Sequence, residues 1–165
     1  MKNGVINSRK KVVRIFIIVF IVGLVLSGIT AFPLETELSI LNNIVSNLSP
    51  ENPIRQWIHK VYIGLVDVNT KYPFMAYGTD WLAFAHIVIA VAFIGPLRDP
   101  VKNIWVIEFG IIACIMIFPL ALIAGPIRGI PFYWRLIDCM FGAIGIVPLM
   151  IVHRLIKQIE AFKIK

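Results

Sequence analysis

The stretch that decides the fold is residues 12–31, VVRIFIIVFIVGLVLSGITA, in which Arg14 is the only charged residue. A helix needs about 20 apolar residues to cross the hydrocarbon core of a bilayer. Three further apolar runs of similar length follow at 81–97, 105–123 and 132–152. We therefore predict an all-α integral membrane protein with a four-helix transmembrane bundle.

The basic residues predict the orientation of this bundle. The net charge is +7, and most of it lies at the two ends of the chain and between the second and third spans. This group is Lys2, Arg9, Lys10, Lys11, Arg14, Arg98, Lys102, Arg154, Lys157, Lys163 and Lys165, and the smaller opposite group is Arg55, Lys60, Lys71, Arg128 and Arg135. Because positive charge is retained on the cytoplasmic side, both termini are predicted to be cytoplasmic. The basic excess is then a topology signal, and no nucleic-acid partner is expected.

The first span also has features of a signal peptide, because a basic segment precedes it and Ile29-Thr30-Ala31 ends it. Signal peptides have a shorter apolar core of about 7–15 residues. We expect an uncleaved anchor, so that residues 1–165 form one membrane domain; cleavage would leave three spans. The compact design favours a bacterial cytoplasmic membrane.

Residues 32–80 form the outer segment between the first and second spans. Apolar residues recur there at helical spacing on both sides of a break at 49–53. Asn52 before Pro53 is a typical N-cap followed by proline in the first turn. We predict two amphipathic interfacial helices on the non-cytoplasmic side.

Charged residues inside the spans indicate a polar cluster. An ionisable side chain near the bilayer centre costs roughly 2.5–3.5 kcal/mol on insertion scales, so such residues are usually paired or functional. Arg135 and Asp138 are three residues apart and share a helix face. His86 is predicted at a depth similar to that of Asp138, with Arg128 and Asp80 nearer the surface. These five residues are predicted to form one cluster beneath the outer surface.

Two interpretations of this cluster remain open. In the structural one, Arg135 and Asp138 neutralise each other and His86 forms a hydrogen bond across helices. In the functional one, the cluster carries protons or ions, or binds a phosphate-bearing lipid headgroup. Glu108, near the other end of the third span, is expected to pair with a Lys or Arg that reaches towards the cytoplasmic surface.

Small residues predict helix packing on two spans. Gly142 and Gly145 continue the face of Arg135 and Asp138, and the first span carries Gly23 and Ser27 one turn apart. Small side chains at such spacing let two membrane helices approach closely.

No motif in the chain specifies a reaction, so no catalytic residue is assigned. His86 is the only histidine well inside a span, whereas haem bound by two imidazoles needs a second one at a matching position. Cys114 and Cys139 lack the spacing of a metal or redox motif. We therefore expect no cofactor and no metal site.

The expected function is that of a non-enzymatic accessory, assembly or scaffold component. Its expected partners are the lipid bilayer and either another membrane protein or a second copy of the chain. The alternative is a small transporter or channel-like protein that uses the polar cluster, and a lipid-headgroup-modifying enzyme ranks third.

Overall fold

The fold consists of helices joined by short turns. The computed structural model describes the backbone of residues 2–164 and the side chains of residue 4 and of residues 6–162, and this part of the chain contains no β-strand. The helices are α1 Lys2–Ala31, α2 Leu34–Val45, α3 Pro53–Lys71, α4 Ala76–Ala92, α5 Ile94–Arg98, α6 Ile104–Pro119, α7 Gly125–Ile127 and α8 Phe132–Ile164. The predicted all-α class is confirmed. Of the basic residues counted above, Lys165 and the side chains of Lys2 and Lys163 lie outside the described residues.

Four helical segments in the described part of the chain are long and apolar enough to cross a membrane, as predicted. They are Ile6–Ala31, Pro73–Arg98, Ile104–Ile127 and Phe132–Phe162. The second includes a 3₁₀ turn at Pro73–Met75 before α4 and the short α5 after it. The chain is therefore an integral membrane protein by the length and composition of its helices.

The third of these segments changes its winding part-way along. Pro119 has no backbone N–H, and its ring clashes with the carbonyl one turn earlier. Immediately after it, Leu120–Ala124 forms one π-helical turn, and α7 then completes the segment. The π-helix is rare and occurs mostly as a single wide turn of this kind within an α-helix.

The chain divides into two compact units. Unit 1 contains Met1–Val22 and Ala90–Lys165, and its core lies where α6 packs along α8. The side chains of Phe93, Ile107 and Leu149 are almost completely buried there.

Unit 2 contains Gly23–Ile89, and its main feature is an antiparallel hairpin of α2 and α3. Val45 and Ile58 are buried between these helices. The predicted N-cap is confirmed, because Asn52 Oδ1 accepts hydrogen bonds from the backbone N–H groups of Ile54 and Arg55 at 2.9 and 3.4 Å. This cap begins α3 immediately after the loop that reverses the chain.

Candidate functional site

The five residues of the predicted polar cluster belong to different units. Asp80 and His86 lie on α4 in unit 2, whereas Arg128, Arg135 and Asp138 lie in unit 1. The assembly of all five into one cluster stays a prediction.

His86 forms its hydrogen bond within its own helix. Its Nδ1 donates to the carbonyl oxygen of Leu82 at 2.8 Å. The face that carries His86 meets α1 at Gly28. A Cβ built on Gly28 would lie 2.8 Å from the carbonyl oxygen of Ala83 and 3.3 Å from the Cβ of His86. Gly28 therefore lets the backbones of α1 and α4 approach closely.

Arg135 packs against the turn that joins the third and fourth spans. A Cβ on Gly125 would lie 2.5 Å from its Cδ, and its guanidinium carbon lies 5.2 Å from the ring centroid of Phe132. Its Nε is buried without a hydrogen-bond partner among the described residues. The ion pairs found among the described residues do not include the one between Arg135 and Asp138 that the structural interpretation contains.

The turn itself explains where Arg128 lies. Its backbone N–H donates to the carbonyl of Ala124 at 3.0 Å, and its side chain is exposed. Gly129 follows with a φ of 69°, a left-handed conformation that glycine adopts without strain. Arg128 thus marks the end of the third segment.

One interhelical polar contact was not predicted. His153 Nε2 on α8 lies 3.1 Å from Glu108 Oε1 on α6, and the two side chains are 30% and 36% exposed. The partner of Glu108 is therefore a histidine, and the expected pairing with Lys or Arg was wrong. The positions of Glu108 and His153 in the sequence could have predicted this contact. Glu108 lies 22 residues before Ile130 in the turn and His153 lies 23 residues after it, so an antiparallel pair of helices brings them level.

Glycines lie where α6 and α8 approach each other closely. A Cβ on Gly142 would lie 2.6 Å from the carbonyl oxygen of Cys114, and one on Gly145 would lie 2.9 Å from Cys114 Sγ. A Cβ on Gly110 would lie 2.9 Å from a methyl carbon of Leu149. The two helices can approach this closely only because these positions lack side chains.

The first span presents a different surface. A Cβ on Gly23 would meet no atom within 4 Å, and Ser27 is exposed. These two predicted packing residues therefore border open space in the structure.

The α2–α3 hairpin is closed by polar contacts at both ends. His59 Nδ1 lies 3.2 Å from Asn42 Oδ1, and Asn69 Nδ2 donates to Glu35 Oε2 at 2.7 Å. Near the loop, a cavity of about 370 Å³ opens between the helices; it is lined by Asn42, Ser46, Pro50, Arg55, Gln56 and His59. Arg55 Nη1 donates to the carbonyl of Leu48 at 2.6 Å, so this guanidinium fastens the loop to α3.

Within the described residues, no group of three or more His, Cys, Asp or Glu side chains is placed to hold a metal ion. Comparison with protein-family models, with curated proteins and with solved structures finds no match for this chain. Its function must therefore be argued from its own contacts, and these are contacts between helices.

Proposed function

We propose that this chain is a non-enzymatic membrane protein that acts as an accessory, assembly or scaffold component. It would present the Gly23 and Ser27 surface of α1 to a helix of another membrane protein or of a second copy. The observation that supports this proposal is the open space at Gly23.

The glycines of the spans differ in what surrounds them. Gly28, Gly110, Gly142 and Gly145 are all occupied by neighbouring helices, so their small size serves the packing of the chain itself. Gly23 has no neighbour within 4 Å. Lipid tails are as apolar as leucine, so membrane helices associate through close packing, and small residues allow it. A small residue left open in a span is then suited to a further helix.

The test uses the full chain in native membranes, separated by blue-native electrophoresis after mild solubilisation. The wild type should migrate as a complex larger than one chain. Gly23→Ile should shift it towards the monomer, because the added side chain keeps a partner helix away. Ala92→Ile is the matched control, since it adds the same side chain to another exposed small residue of a span.

A wild type that migrates only as a monomer would contradict the proposal. The same conclusion would follow if the two isoleucine variants dissociated the complex equally, because general crowding of the spans would then explain the loss.

We also propose that the chain lies in a bacterial cytoplasmic membrane with both termini in the cytoplasm. The support is the basic group around Arg9 to Arg14 and Arg154 to Lys157. In a background where Cys114 and Cys139 are serine, an impermeant maleimide should label Asn47→Cys on intact cells and Lys11→Cys only after lysis. The opposite labelling pattern would show that the termini lie outside the cell and would contradict the proposed orientation.

The α2–α3 hairpin is proposed to lie in the outer interface of the membrane. Ile40 and Ile44 lie one turn apart on α2, and Leu48 follows in the loop after it. They are 56%, 61% and 40% exposed, so these apolar side chains lie outside the hairpin core. A fluorophore on Ile44→Cys should be quenched by spin-labelled lipids more strongly than one on Glu51→Cys. Equal, weak quenching at both positions would place the hairpin in water instead.

A further inference from the structure

A second cavity lies at the end of unit 1 that carries the first turns of α1 and the last turns of α8. Its volume is about 320 Å³, and it is lined by Arg9, Gln158, Ala161 and Phe162. This volume is at the small end of the range of about 300–1,000 Å³ found for ligand sites. The cavity thus has room for a small polar group.

Arg9 is held in this cavity by an aromatic ring and has an unused donor. Its guanidinium carbon lies 4.9 Å from the ring centroid of Phe162, which is within the range of a cation–π contact. Its Nη1 is buried and has no hydrogen-bond partner in the part of the chain that the structure describes. A buried N–H of a charged group is costly unless an acceptor reaches it. The missing acceptor is therefore the feature to explain.

The lengths of α1 and α8 indicate where this cavity lies relative to the hydrocarbon core of the membrane. With a rise of about 1.5 Å per residue, the 33 residues of α8 span roughly 50 Å, against about 30 Å for the hydrocarbon core. Tyr133 and Trp134 at the start of α8 favour the headgroup level, so the excess length lies at its C-terminal end. The 30 residues of α1 are likewise too long for the core. Arg9 and Phe162 are thus placed at the level of lipid headgroups.

The surroundings of the cavity are mainly basic. The neighbouring basic side chains along α1 and α8 are Lys10, Lys11, Arg14, Arg154 and Lys157. Glu160 is the acidic residue of this end of α8, and its Oε2 lies 3.4 Å from Lys157 Nζ. The local charge therefore favours an anion.

We propose that Arg9 is the centre of a binding site for a phosphate group, either the phosphodiester of an anionic lipid or free phosphate. A guanidinium offers two parallel N–H donors that match two phosphate oxygens, and no described residue accepts a hydrogen bond from Arg9 Nη1. Gln158 adds an amide to the lining, and Phe162 provides an apolar wall. The site does not depend on the scaffold role proposed above.

The experiment is native mass spectrometry of the full chain in detergent, titrated with phosphatidylglycerol, phosphatidylcholine or inorganic phosphate. The wild type should bind one phosphatidylglycerol or one phosphate in preference to phosphatidylcholine. Arg9→Gln should weaken that binding at least tenfold, since it removes charge-assisted hydrogen bonds. Arg14→Gln is the matched control on an exposed face of the same helix, and it should weaken binding less than about fivefold, the effect of one basic residue near an anionic surface.

The two probes distinguish the source of the phosphate. Binding of phosphatidylglycerol that depends on Arg9 identifies a lipid, and binding of inorganic phosphate that depends on Arg9 without a lipid preference identifies a soluble anion. Equal losses in Arg9→Gln and Arg14→Gln, or binding of neither probe, would overturn the proposal. If Arg9→Gln does not fold by circular dichroism, Phe162→Leu applies the same test, because it keeps the charge and removes the ring that holds the guanidinium.

Discussion

Replacement of Gly142 by alanine tests the packing of α6 against α8 most directly. The new Cβ would lie 2.6 Å from the backbone oxygen of Cys114, 3.2 Å from Phe118 and 3.4 Å from Ile117. A backbone oxygen cannot rotate away, so the helices must separate by about 0.8 Å to restore an ordinary contact of 3.4 Å. The dispersion attraction of one pair of heavy atoms is worth about 0.1–0.2 kcal/mol, and a gap of roughly 0.5–1 Å removes a quarter to a half of it. Over some 40 atom pairs this amounts to about 2 kcal/mol, within the range of about 1–3 kcal/mol for overpacked cores.

The assay is reversible unfolding in mixed micelles by titration with dodecyl sulfate, followed by the near-ultraviolet circular dichroism of the aromatic side chains, which reports tertiary packing. Helices persist in this detergent, so the higher helix propensity of alanine contributes little to the measured difference. Gly78→Ala is the matched control because its Cβ meets no atom within 4 Å, and it should change the free energy of unfolding by less than about 0.5 kcal/mol. If Gly142→Ala is as stable as Gly78→Ala, the close approach of α6 and α8 is refuted.

Three further predictions concern single contacts. Glu108 and His153 should show a coupling free energy of about 0.6–1.7 kcal/mol in a double-mutant cycle of alanine variants measured in the same micelles, and zero coupling would exclude their hydrogen bond. Asn52→Ala should destabilise the α2–α3 hairpin by about 1 kcal/mol through loss of the α3 cap, measured by hydrogen exchange, whereas Asn47→Ala outside the cap should have less effect. Gly129→Ala should lower the free energy of unfolding by roughly 1 kcal/mol because its φ of 69° strains an L side chain, and an unchanged midpoint would show that the turn tolerates it.

The four long helices and the start of α3 could be predicted because their signals are local. Uninterrupted apolar length predicts a span, and Asn52 before Pro53 predicts a cap whatever the rest of the chain does. The partner of Glu108 could also have been found, since a short turn between adjacent spans aligns residues that are equally distant from it. We expected the strongly basic Lys or Arg side chains on that side of the membrane to pair with Glu108, and so predicted the wrong residue type.

The packing faces could not be predicted in the same way. A helix that is apolar on all sides carries no polar stripe to show which side is internal. In the first span the sequence offers Gly23 and Gly28 on equal terms, yet Gly28 meets α4 and Gly23 meets open space. The face on which a span packs depends on the shapes of the helices opposite it, and a local stretch of sequence does not contain that information.

The π-helical turn at Leu120–Ala124 has a consequence for the evolution of this hairpin. A wide turn of this type contains one residue more than an α-helix needs, and each residue rotates the helix by about 100°. Deleting one residue there would restore regular winding and swing Gly125 away from Arg135, while Glu108 and His153 on the far side would keep their alignment. One codon thus separates two registers of the same span, and Arg135 contacts Gly125 in only one of them.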